Sequence, residues 1–146
     1  MKRYRFRLEA LLHFRERVEE LLMREYVLLK SGLEKGERSL TSLVDLYERK
    51  ADELTVHGEL TPPELMAQSA LIELLKEGIK VKEKELQIMR ETVRLKREEL
   101  TEASKARKVL DAVKERESRQ YKKAGEKEEQ AHLDEFALRC FKKMAW

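Results

Sequence analysis

The stretch Val56-His57-Gly58-Glu59-Leu60-Thr61-Pro62-Pro63-Glu64 decides the fold. It is the only place in the chain where helix-breaking residues are concentrated, and it reads as helix stop, short turn, helix start. Gly58 is suited to the left-handed conformation that closes a helix, and His57 is placed to cap the C-terminus of the first helix. Thr61 is a natural N-cap, Pro62 occupies the first helical position, and Glu64 completes a Thr-x-x-Glu capping box. Working outward, these signals predict a first helix over about 4–57, a turn at 58–61 and a second helix over about 62–143, all within one coiled-coil domain of residues 1–146. So short a turn makes the two helices antiparallel.

Composition agrees. Of 146 residues, 32 are Lys or Arg and 29 are Asp or Glu, with 5 Gly and 2 Pro. Such a chain lacks the turn residues of a sandwich, barrel or doubly wound sheet and has the composition of long helices. Before the turn a 3-4 seam runs Tyr4, Leu8, Leu11, Arg15, Val18, Leu22, Glu25, Leu29 and resumes at Leu33, Gly36, Leu40, Leu43, Tyr47, Lys50, Leu54. Two four-residue steps at Glu25-Leu29-Leu33 make a stutter that locally unwinds a supercoil. After the turn the seam runs from Leu65 through Ile72, Leu75, Ile79, Leu86, Met89 and Val93 to Leu110 without a slip, then degrades. Counting outward from the turn places Leu40 opposite Ile79 and Leu33 opposite Leu86. The expected fold is all-α: an antiparallel two-helix coiled-coil hairpin whose second helix is longer, by roughly 30 residues or about 45 Å. Leu133, Phe136, Leu138 and Phe141 restore an apolar face on that overhang, with nothing left in the chain to pack on it.

The net charge of +3 is small against so many charges. The lone Cys140 cannot form an internal disulfide and fits a reducing compartment. No apolar run approaches the ~20 residues that span a bilayer, and the alternation Lys2-Arg3-Tyr4-Arg5-Phe6-Arg7-Leu8 lacks the apolar core of a signal peptide. A soluble cytoplasmic protein is expected. His132, Asp134 and Glu135, or His13 beside Glu9, lack the spacing of a zinc site, and no phosphate loop or nucleophile constellation is present. No cofactor, small-molecule ligand or catalytic residue is therefore expected. Residues 1–17 carry six basic residues against two acids, residues 105–123 eight against three, and residues 126–135 reverse to five acids against Lys127. A solvated charged face and an acidic protein partner both fit that pattern. Base-stacking aromatics and a groove-reading motif are absent, so nucleic acid is not expected.

Near the turn, Leu43, Val44, Leu46 and Tyr47 sit opposite Leu71, Ile72, Leu74 and Leu75. A two-helix seam buries two apolar positions per heptad, which leaves Val44, Leu46, Leu71 and Leu74 over. They either widen the local core or form an exposed patch for another protein.

Phe6-Arg7-Leu8-Glu9-Ala10-Leu11-Leu12 with Arg15 and Glu19 resembles the N-terminal signature of the FliJ family. Lys114-Glu115-Arg116 with Tyr121, Glu128-Glu129 and Leu133-Asp134-Glu135-Phe136-Ala137 resemble its closing segment. The resemblance implies a nonenzymatic coiled-coil stalk of the flagellar type III export apparatus, similar to the gamma stalk of rotary ATPases. It implies three partners: the export ATPase hexamer, the export gate protein FlhA and export chaperones, with peripheral association at the inner membrane. Matching the family's gate contacts onto this sequence gives Leu43, Leu46, Lys50, Leu71, Leu75 and Gly78. Aromatic residues that some members carry at the positions of Leu46, Lys50 and Leu71 are replaced here. The base, expected at the ATPase, comprises Arg5, Phe6, Arg7, Leu8, Leu11, Leu12, Leu133 and Phe136. Stalks of injectisome systems share the architecture, and a generic scaffolding or nucleic-acid-binding coiled coil has the same periodicity.

Overall fold

The computed structural model describes residues 2–56 and 58–145. Two helices, α1 (Glu9–Val56) and α2 (Pro62–Met144), form the expected all-α hairpin, with the second helix longer. No helix among the described residues is long and apolar enough to cross a membrane. The turn lies where the breakers put it. The Glu64 carboxylate accepts a hydrogen bond from the Thr61 amide at 3.3 Å, one arm of the capping box, and the Leu65 amide bonds the Thr61 carbonyl at 2.9 Å. Gly58 departs from expectation, since no described glycine has positive φ. It lies two residues beyond the last residue of α1, where Thr55 already occupies the Asp52 carbonyl through its hydroxyl at 2.8 Å. The capping role expected of His57 lies outside the described residues.

The chain forms two compact units, Leu21–Thr101 and the two terminal stretches Met1–Glu20 with Glu102–Trp146. In the first, Leu86 is completely buried, because it seats on Gly36, three residues from its expected partner Leu33. A Cβ on Gly36 would stand 2.6 Å from Leu86 Cδ2. Gly32 lies likewise against Met89, 3.6 Å from a would-be Cβ. The charged seam positions Glu25 and Lys96 answer each other across the helices at 2.9 Å, and Arg90 reaches Glu37 at 3.3 Å.

In the terminal unit, α1 begins at Glu9, not near residue 4. A helix through Lys2, Arg3, Arg5 and Arg7 would stack cations on the positive end of its own dipole. Glu9 instead supplies the first-turn acid. Residues 2–6 are non-helical, and Tyr4 and Phe6 among them lie against α2. Phe6 is buried, and the Tyr4 ring lies 5.5 Å from that of Tyr121.

The packed face of α1 also differs from the expected one. Leu12 is 2% exposed while Leu11 is exposed, and Glu19 and Tyr26 are half-buried. Leu8, Leu12, Arg15, Glu19, Leu22, Tyr26, Leu29 and Leu33 keep regular 4-3 spacing and run on to Gly36. Val18 and Glu25, through which the expected seam ran, are half-buried beside them, so the packed face is wider than a single row. Glu19, passed over in the expected seam for apolar Val18, belongs to the packed face through its ion pair with Arg107.

Candidate functional site

In the Leu21–Thr101 unit, the residues expected at the export gate divide by exposure. Leu43, Leu46 and Lys50 on α1 are half-buried, as are Leu75 and Gly78 on α2. Leu71 is 41% exposed, and its neighbour Leu74, which the family carry-over omitted, is 71% exposed. Lys50 is turned onto its own helix, 3.2 Å from Glu53. A Cβ on Gly78 would meet nothing within 4 Å, so nothing in the chain requires glycine there. Val56 and Met66, near the turn, are also exposed. They fall where the seam runs out, and seam counting had no means of finding them.

In the terminal unit, Arg5 and Arg7 are exposed, Leu8 is half-buried, and Leu11 and Phe14 are exposed. Phe6 and Leu12 are interior and offer little surface to a partner. Lys114 organises this region. Its ammonium lies 3.0 Å from Glu9 and 6.0 Å from the centre of the Phe6 ring, a position that combines an ion pair with a cation–π contact. The hydrogen bond that it donates to the Glu9 carboxylate holds the Lys114 ammonium above its ordinary pKa of 10.5. Tyr4 reaches the Lys114 carbonyl at 3.4 Å and the Glu117 carboxylate at 3.5 Å. Desolvation, then the Glu117 charge, push its phenol above the ordinary 10.0. Arg107 holds Glu19 and, at 2.5 Å, Asp111. The seam of α2 thus continues past Leu110 as Lys114, Glu117 and Tyr121, all half-buried.

Past Gly125 every described residue is exposed, although α2 stays helical to Met144. Leu133, Phe136 and Phe141 lie on this bare segment, Phe136 with 66% of its surface free. Within it, Gln130 bonds Asp134 at 3.0 Å and Arg139 pairs with Glu135 at 2.6 Å. The Cys140 thiol is free and exposed. His13 lies 3.4 Å from Glu9 and 3.3 Å from Glu16 on the α1 surface. No group of three or more His, Cys, Asp or Glu able to hold a metal occurs among the described residues.

These surfaces suit side-by-side contact with other proteins: exposed leucines on one unit, exposed aromatics with arginines on the other. The family model described as "Flagellar FliJ protein" matches residues 4–145. No curated protein and no solved structure matches the chain.

Proposed function

The chain belongs to the FliJ family of coiled-coil proteins associated with flagellar export, and from that premise we propose that it is the noncatalytic stalk joining the export ATPase to the export gate. The observation that carries this reading is that each unit bears apolar surface its own chain leaves uncovered. On one unit this is Leu71 and Leu74. On the other it is Leu11 and Phe14, with Arg5 and Arg7 also exposed, and further along α2 Leu133 and Phe136. Single exposed apolar residues are ordinary; groups of them at the places a family signature assigns to partners argue for binding.

In this reading Leu71 and Leu74 supply most of the affinity for the cytoplasmic part of FlhA. Half-buried Leu43, Leu46 and Leu75 support them from beneath, and Lys50 and Gly78 border them. Arg5, Arg7, Leu11, Leu133 and Phe136 face the ATPase hexamer, while Phe6 and Leu12 hold that end together from inside. Attachment to the inner membrane then comes through these partners, and export chaperones are further partners.

The test is the double variant Leu71→Asp, Leu74→Asp. Both side chains are exposed, so the change in stability should stay within about 0.5 kcal/mol per site, and circular dichroism should be unchanged. Binding to the purified cytoplasmic domain of the gate should weaken by several kcal/mol, because the interface would have to bury unpaired charge. Undiminished binding would reject the gate assignment, and loss of helicity would show that the leucines are core.

A further inference from the structure

The bare end of α2 is polarised in a way that contact with the rest of the chain does not use. Residues 126–135 contain five acids and one lysine; residues 136–144 contain Arg139, Lys142 and Lys143 and no acid. Between the two halves runs a stripe of Leu133, Phe136, Ala137, Cys140, Phe141 and Met144, spaced as one face of a helix. All of it is exposed. Asp134, Glu135 and Arg139 have partners within their own helix. Among the described residues Glu126, Glu128, Glu129, Lys142 and Lys143 have no ion-pair partner.

We propose that this segment pairs antiparallel with the same segment of a second copy, about a two-fold axis at Phe136–Ala137. An isologous contact requires a surface complementary to itself, and a helix acidic in its first half and basic in its second meets that requirement only when antiparallel. In this register the core is Leu133 against Cys140 of the other copy, with Ala137 at the axis, where its small side chain lets the helices approach. On one flank Phe136 meets its own image. On the same flank Glu129 meets Lys143 of the other copy, and Lys143 meets Glu129, so two of the unpaired charges are answered twice. A parallel pair would set five acids against five acids. The segment is short, about five helical turns, so the dimer is concentration-dependent. It also covers Leu133 and Phe136, so pairing and engagement of the ATPase exclude each other if the ATPase reading above holds.

Sedimentation of the full chain alone tests the inference without any partner. A reversible monomer–dimer equilibrium is expected. Phe136→Glu should abolish it while leaving circular dichroism unchanged. Glu129→Lys and Lys143→Glu should each weaken it about tenfold, the effect of turning two attractive pairs into repulsive ones. The two substitutions together should restore it. In a Cys140→Ser background, Ala137→Cys should give a disulfide between copies on oxidation. A monomer at every concentration, a dimer that survives Phe136→Glu, or a charge swap that fails to restore pairing would each overturn the proposal. Failure of ATPase binding in a separate assay leaves these results unaffected.

Discussion

Gly36 and Gly78 occupy the interiors of their helices, where glycine costs about 1 kcal/mol relative to alanine, and only one has a packing reason to be there. Leu86 fills the space a Gly36 side chain would take, and being wholly buried it has nowhere to retreat. Gly36→Ala should therefore lower stability by about 1–2 kcal/mol, overpacking outweighing the gain in helix propensity. Gly78→Ala should raise stability by about 1 kcal/mol, since its Cβ meets open space. Thermal melts of the two single variants should move in opposite directions. If the gate approaches the backbone closely at Gly78, the more stable variant will also bind it less well. Spacing alone placed Gly36 on the seam, but the hole that it makes for Leu86 depends on a cross-helix register that counting missed by three residues.

At the scale of elements, the start of α2 was legible because Thr61, Pro62 and Glu64 act on their immediate neighbours. The packed face of α1 near residue 19 was not. Counting apolar residues assumes that a seam is apolar, and here Glu19 with Arg107, and Glu25 with Lys96, are seam positions satisfied by each other. Such pairs fix alignment more than they add stability. The non-helical start carried a signal that was present and unused. Tyr4 and Phe6 are two residues apart, the period of a chain that is not helical, and both pack on α2. Their contacts make a prediction about alkaline pH. The Tyr4 phenol and the Lys114 ammonium both titrate above their ordinary values of 10.0 and 10.5. Each therefore contributes stability that is fully present below its ordinary value and is lost as pH rises through the raised one. The melting temperature should be flat from neutrality to about pH 9 and fall beyond about pH 10. In Tyr4→Phe that fall should shrink, together with the phenolate absorbance appearing above pH 10.

For the molecule as a whole, packing stops at Gly125, and the described residues beyond it contribute surface. A chain ending at Gly125 should lose the helical signal of that segment, because an isolated helix of that length is marginal in water. It should unfold at the same temperature as the full chain in dilute solution, and a fall in melting temperature of more than a few degrees would mean that the segment has contacts elsewhere on the chain. That Leu133 and Phe136 would be bare was readable from the length difference between the helices. That Phe6 would be interior was not, because it lies in the non-helical start, against Lys114 of α2. This strap has a consequence for how the protein is made. The Arg90–Glu37 pair links residues 53 apart, but Tyr4 and Glu117 are 113 apart. Tyr4 must wait for about 113 further residues to be made before it can reach Glu117, an interval of about 6–20 seconds at ordinary rates of synthesis. During that time Tyr4, Phe6 and Leu12 are bare on the nascent chain, and whatever shields them then is as much a part of this protein's life as the partners it meets when complete.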